Sequence, residues 1–413
     1  MNSIYSSAKP ELLSPAGDIR KLEFAIEYGA DAVYMGGKTL GMRAKSKNFC
    51  MDEMKDGIKY AKACGKKVYV TANIFAHNAD FDGMEDYFLC LRKMGADALI
   101  ISDPGVFMLA KKTAPEMEIH ISTQANCTSI NSARFWKDQG ASRVILAREL
   151  SLEEISEIKV PGLEIEVFVH GAMCMAYSGR CLISNYLSKR DANRGECSQP
   201  CRWNYSVVEE KSGEKLDVFE SENGAYIFSS KDLCMINHID DLVDAGVKSF
   251  KIEGRMKTEY YVATATKIYR EAIDDFFASP NLYKSKLDYY NKELARISQR
   301  EYTTGFYFGK MEGTEHAYSL GPDYRTQDFL GVVKDYDAKT GFATIEQRNK
   351  FAQGDSIEII RPHGGALFQN VEKLYRLNGE EVASAPHPKE VLLLKTNFPV
   401  EENNIIRKNT NAG

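Results

Sequence analysis

Along the first 255 residues, short apolar and β-branched runs alternate with longer stretches of helical period, and a glycine closes each helix before the next run. Gly29-Ala30-Asp31-Ala32 leads into Val33-Tyr34-Met35, Gly95-Ala96-Asp97-Ala98 into Leu99-Ile100-Ile101, and Gly140-Ala141-Ser142-Arg143 into Val144-Ile145-Leu146. Gly246-Val247-Lys248-Ser249 before Phe250 is a weaker copy. A glycine after a helix supplies a left-handed cap, and an unbroken apolar triplet suits a strand covered on both faces, as parallel sheets require. The runs predict strands at Glu11–Ser14, Ala32–Met35, Lys67–Thr71, Ala98–Ser102, Glu118–Ser122, Arg143–Ala147, Glu164–Val169 and Ser249–Glu253. Eight strands alternating with helices point to an α/β fold closed as a (β/α)8 TIM-like barrel. A doubly wound open sheet is the runner-up, but no GxGxxG follows the first strand.

About eighty residues lie between the seventh and eighth strands, far more than an ordinary loop. That insertion carries four cysteines and then a hairpin expected at Tyr205–Glu210 and Lys215–Phe219, turning at Ser212-Gly213. Helices are expected at Thr258–Phe277 and Lys284–Ile297, followed by an irregular crossover at Gln299–Gly309. From Phe329 the pattern changes to short alternating strands, Gly331–Tyr336, Gly341–Glu346, Asp355–Ile360 and Val391–Lys395, which read as a small antiparallel β-barrel. The expected organisation is a barrel over 1–280 with the insertion at about 170–235, a helical connector over 281–328, and the small β-barrel over 329–413.

The 413 residues are 44% hydrophobic and 27% charged, a globular composition with more chain than one core commonly uses. A formal charge of -5 excludes a protein that coats nucleic acid through a global positive field, and leaves a local basic patch open. The N-terminal stretch has no secretory pattern and no apolar run reaches the length of a membrane span, so a cytoplasmic protein without membrane contact is expected. In that compartment nine cysteines read as thiols and ligands rather than disulfides.

Cys174, Cys181, Cys197 and Cys201 are separated by six, fifteen and three residues in one polar stretch. Thiolates so crowded suit an iron–sulfur cluster or zinc better than a core. Neither zinc-ribbon nor ferredoxin spacing is matched, so metal and no metal both stay open, with iron–sulfur ahead of zinc. Cys50, Cys64, Cys90 and Cys127 fall in helical stretches and read as packing residues, and Cys234 as a stray fifth ligand at most.

Barrels of this class place function at the C-terminal ends of their strands. Those ends read Ser14, Asn73, Asp103, Gln124, Arg148, Glu149, His170, Glu253 and Arg255. Arg43, Arg148 and Arg255 could hold carboxylates or phosphates, or each could pair with a neighbouring acid, Arg148 with Glu149 or Glu253 for example. His170 reads as an acid–base group, a ligand or a satisfied packing histidine. Around the cysteines, Arg180, Lys189, Arg190, Arg194 and Arg202 are interleaved with Tyr177, Tyr186 and Trp203, a mixture that can grip a single-stranded RNA or simply face solvent. No HExxH or nucleophile elbow is present, so peptidase machinery is absent from the pattern.

The run from Glu166 through His170, Gly171 and Met173 to Cys174, continued by Gly179-Arg180-Cys181 and Ile183-Ser184, resembles the signature of the collagenase-like peptidase family U32. The likeness continues through Leu13-Ser14-Pro15-Ala16-Gly17, Asn48-Phe49, Lys231-Asp232-Leu233, Lys251-Ile252-Glu253-Gly254-Arg255 and, near the C-terminus, Gly354-Asp355-Ser356. Length, the Cys197/Cys201 pair and the C-terminal barrel most resemble the tRNA-hydroxylating members. The resemblance implies a 4Fe-4S cluster on Cys174, Cys181, Cys197 and Cys201, and prephenate-dependent, oxygen-independent conversion of the tRNA wobble uridine to 5-hydroxyuridine. Its partners would be the tRNA anticodon loop, prephenate and an electron donor. Other members hydroxylate ribosomal RNA or ubiquinone precursors, and the family name implies a peptidase; these are the alternatives. For that chemistry the strand ends offer Arg148, Glu253, Arg255, His170, Asn73 and Gln124 as catalytic candidates, and the arginines and the basic, aromatic stretch offer Arg43, Tyr177, Arg180, Lys189, Arg190, Arg194 and Arg202 as RNA-binding candidates.

Overall fold

The computed structural model describes residues 8–37, 48–174, 176–194, 196–203, 207–208, 215–216, 231–298, 300–309 and 327–409. Eight parallel strands run Glu11–Pro15 (β1), Ala32–Gly36 (β2), Lys67–Ala72 (β3), Ala98–Ile101 (β4), Glu118–Ile121 (β5), Arg143–Ile145 (β6), Glu164–Ala172 (β7) and Ser249–Ile252 (β8). Each pairs with its neighbour, and β8 pairs with both β7 and β1, so the sheet closes. The expected (β/α)8 barrel is therefore the fold, and closure removes the open-sheet alternative. The strands are almost wholly buried because helices cover their outer faces while side chains fill the inside, which is why they read as apolar runs.

Helices α1 to α6 follow the first six strands at Ile19–Glu27, Met51–Ala63, Met84–Met94, Pro104–Thr113, Ile130–Asp138 and Leu152–Glu157. Polar caps start them: Asp18 accepts from the Lys21 N–H, Asp103 from Gly105 and Val106, and Ser129 from Ser132. Such a cap typically contributes about 1 kcal/mol. The four returning glycines, Gly29, Gly95, Gly140 and Gly246, all take positive φ, as their place after each helix requires.

The insertion after β7 contains a short helix, α7 (Ile183–Ser188), and an antiparallel pair, Val207–Val208 with Lys215–Leu216. The remainder of the expected hairpin, including its turn, lies outside the described residues. Asp232–Cys234, for which no strand was expected, is a strand antiparallel to the end of β7, and Tyr302–Thr303, read as crossover, pairs beside it. Both runs are too short for periodicity to reveal. Helix α8 (Ile239–Asp244) precedes β8, and α9 (Glu259–Ala278), started by the Thr258 cap, completes the barrel. The predicted single helix over Lys284–Ile297 is two, α10 (Pro280–Ser285) and α11 (Leu287–Ala295), broken at Lys286.

The chain separates into two compact units, Met1–Asn291 with Arg300–Gly321, and Lys292–Gln299 with Pro322–Gly413. In the second, strands Gln327–Asp337 (β9), Phe342–Gln347 (β10), Ser356–Ile360 (β11), Leu367–Asn370 (β12), Leu374–Arg376 (β13), Val391–Lys395 (β14) and Ile405–Asn409 (β15) form one antiparallel sheet in the order β12-β11-β15-β9-β10-β14-β13. It is a half-barrel around a core that includes Leu330, Ile345, Ile359, Leu392 and Ile406. Strands β12, β13 and β15 had no distinct pattern in the sequence. Inside this unit the buried Arg407 guanidinium binds Glu358 at 2.7 Å and Glu293 at 2.9 Å. No helix among the described residues is long and apolar enough to cross a membrane.

Candidate functional site

The strand ends β3, β5, β6, β7 and β8 deliver Asn73, Gln124, Arg148, Cys174, Glu253 and Arg255 to the lining of one cavity of about 180 Å³. Cys181, Cys197 and Cys201 line it from the insertion, as does Tyr177. Pocket and cysteines thus share a single mouth.

Arg148 sits over Phe168, its guanidinium carbon 4.0 Å from the ring centroid, and its Nη1 donates to the Ala172 carbonyl at 2.8 Å. Its Nε is buried without a partner, as is the Gln124 side-chain oxygen. Neither acid proposed for Arg148 takes it up: Glu149 instead accepts from the Ser178 N–H at 2.8 Å and from its hydroxyl at 2.9 Å. Arg255 is buried and its Nη1 donates to Thr71 at 3.4 Å. Gly36 makes that position open, since a Cβ there would come within 2.1 Å of the same nitrogen. Glu253 is also buried, and Asn73 donates to Ser122 at 3.2 Å.

Lys251 was not singled out in the sequence, yet it lines the cavity. Strand alternation puts Lys251 on the same inner face of β8 as Ser249, whose hydroxyl donates to Glu11, and the pairing with β7 shifts register only after Lys251. Its ammonium donates to Glu166 at 2.9 Å and lies 4.6 Å from the Tyr34 centroid. Arg143 binds the other Glu166 oxygen at 3.0 Å and also reaches Glu11 at 2.5 Å, so a ladder of alternating charge runs through the barrel interior. Burial alone would raise the Glu166 carboxyl, but the two cations hold it below its ordinary range; burial pushes the Lys251 ammonium down. A lone lysine in Phe250-Lys251-Ile252, and a lone glutamate in Ile165-Glu166-Val167, were the available signals: charge inside a doubly covered strand.

His170 does not line the cavity. It is buried beside Tyr261, Tyr269 and Tyr302, with neither ring nitrogen hydrogen-bonded, and burial followed by the Lys257 charge pushes its imidazole down to about 3. The ring is neutral and packs on aromatics without being satisfied. Cys234 is half-buried, 3.8 Å from the Tyr269 hydroxyl, and desolvation raises its thiol to about 11. Of the four cysteines expected in helical stretches, only Cys90 lies within a helix, α3; Cys50 and Cys64 cap the two ends of α2, and Cys127 sits in the loop before α5. Cys127 is buried as expected, whereas Cys64 and Cys90 are exposed.

The cysteine stretch is held by hydroxyls. Ser198, next to Cys197, bonds Ser188 at 2.6 Å and Ser184 at 3.1 Å, and Asn193 donates to the Cys181 carbonyl at 3.1 Å. Cys174 and Cys197 are exposed, Cys181 and Cys201 partly so, and none is disulfide-bonded. Among the described residues no three of His, Cys, Asp and Glu stand close enough to hold a metal ion. The donor set fits a thiolate-bound cluster in kind, four cysteines lining one cavity.

Arg180, Lys189 and Arg190 are exposed at this rim, with Tyr186, Leu182 and Trp203 also presented to solvent. Arg43 and the side chains of Arg194 and Arg202 lie outside the described residues.

Residues 17–317 match peptidase family U32, and residues 325–407 match the peptidase family U32 C-terminal domain. The chain is 39% identical to the tRNA hydroxylation protein P1 of Bacillus subtilis over 97% of its own length and 95% of that protein. It is 39% identical to a 23S rRNA 5-hydroxycytidine synthase of Escherichia coli over 81% of this chain and 48% of that one. It is 35% identical to a protein named collagenase in Porphyromonas gingivalis, over 91% of this chain and 92% of the other.

Proposed function

The chain belongs to peptidase family U32, and from that premise we propose that it is an RNA-hydroxylating enzyme. The relatives named for tRNA hydroxylation and for 5-hydroxycytidine synthesis support the reaction class. More finely, the substrate is the wobble uridine of tRNA, oxidised at C5 with prephenate as the oxygen source and a 4Fe-4S cluster held by Cys174, Cys181, Cys197 and Cys201.

The observation that carries this reading is the meeting of four cysteines with Arg148, Lys251 and Arg255 in one cavity. A bound cluster would supply one-electron transfer at the cavity wall. The chain's own residues do the rest. Arg148 and Arg255 hold the carboxylates of a small organic acid, with the Phe168 and Tyr34 rings forming apolar walls that keep water from it. Tyr177 receives a base that has left its stack, and Lys189 and Arg190 hold the flanking phosphates.

The peptidase reading has a relative's name behind it, but no histidine lines the cavity among the described residues, so no thiol or hydroxyl there has an imidazole to activate it. Nucleosides digested from tRNA of a strain lacking this protein should lack 5-hydroxyuridine and its derivatives. Unchanged nucleosides, together with gelatin cleavage by purified protein, would transfer the assignment to a peptidase.

A further inference from the structure

One carboxylate fastens the turn between the first two cysteines to the barrel. Ser178 stands between Cys174 and Cys181, and Glu149 accepts both its backbone N–H, at 2.8 Å, and its hydroxyl, at 2.9 Å. The Arg148 N–H donates to the same hydroxyl at 3.4 Å. Among the described residues Glu149 makes no ion pair, so its charge is spent on this one residue. The next position closes the fit from the other side. Gly179 has φ +76°, and a Cβ there would stand 2.2 Å from the Gln124 carbonyl oxygen, so the strap lies directly on the loop after β5.

The loops that present Gln124 and Arg148 to the cavity are therefore the same loops that hold the thiol strap. Hydrogen bonds to an ionised acceptor are about twice as strong as neutral ones, and an anchored strap has already lost the chain entropy that bringing two thiols together would otherwise cost. We propose that Glu149 is the positioning residue of the Cys174/Cys181 pair: through Ser178 it keeps both thiols at the cavity mouth and sets how firmly that side of the site retains iron. This rests on the reading of the four cysteines as cluster ligands.

The test uses the full chain, unaltered and as Glu149→Gln, Ser178→Ala and the exposed control Glu157→Gln. Hydrogen exchange over residues 174–181 is measured on metal-free protein, and iron release to a ferrous chelator after anaerobic reconstitution. Glu149→Gln should exchange faster over 174–181 and release iron roughly tenfold faster, as loss of a partner behind a metal ligand commonly does. Ser178→Ala, which keeps the backbone donor, should fall between. Melting of the metal-free variants should match the control. Unaltered exchange over 174–181, or iron release as slow as in the unaltered chain, would overturn the proposal, as would iron loss that merely follows a lowered melting temperature. Failure of the unaltered chain to take up any iron would remove the cluster reading, while the exchange measurement would still decide whether Glu149 holds the strap.

Discussion

Lys251 donates to Glu166 at 2.9 Å and lies 4.6 Å from the Tyr34 ring centroid, so an ammonium group faces the cavity with one carboxylate behind it. Replacing Lys251 by Met leaves Glu166 buried with Arg143 as its remaining cation. The expected cost is about 3 kcal/mol, the low end for orphaning a buried charge, because Arg143 still offsets it. Urea unfolding at neutral pH measures this, and adding Glu166→Gln to the same chain should shrink the loss.

Arg148 combines a cation–π contact with Phe168 and a hydrogen bond to the Ala172 carbonyl. A lysine cannot keep both while also gripping a carboxylate with two parallel bonds. If the proposed use of prephenate holds, Arg148→Lys should therefore lower kcat/KM for it roughly 10- to 100-fold, the worth of a charge-assisted hydrogen bond, mainly through KM. Initial rates against prephenate concentration would show it.

Lys189 and Arg190 are exposed on the rim beside α7. If both contact phosphates, replacing both by glutamine should weaken tRNA binding. It should also flatten the slope of log affinity against log salt by about 1.4, since each single-strand phosphate contact contributes about 0.7. Titrations at several salt concentrations measure that slope.

His170 ties stability to acid. Its ring titrates near 6.5 when unfolded and about 3 when folded, so between those values the unfolded chain holds the extra proton. Stability contributed by the neutral buried ring is present above 6.5 and drains away as pH falls towards 3. The slope reaches about 1.4 kcal/mol per pH unit inside the window. His170→Phe should remove it: the stability of the original chain relative to the variant should be flat above the window and fall within it, as read by unfolding from about pH 7 to about pH 5.

The barrel was legible because parallel strands buried on both faces leave unbroken apolar runs, and because Gly29, Gly95 and Gly140 mark where each helix turns back. Strands of two or three residues, such as Asp232–Cys234 and Tyr302–Thr303, carry too little period to declare themselves. At the site, Asn73, Gln124, Arg148, Glu253 and Arg255 could be placed from strand ends alone. Lys251 was not legible from the strand ends because it enters the cavity from within β8, two residues before Glu253. Glu149 was noticed as a strand-end acid, but its partner Ser178 lies 29 positions later and no local pattern joins them.

The most direct measurement is nucleoside mass spectrometry of unmodified tRNA after incubation with anaerobically reconstituted protein, with and without prephenate, beside Cys→Ser variants at 174, 181, 197 and 201. The expected result is a uridine gaining one oxygen at the wobble position, only with prephenate, and only when all four thiols are present. Full modification by an iron-free Cys→Ser variant, or none by iron-loaded protein supplied with prephenate, would contradict the proposed reaction.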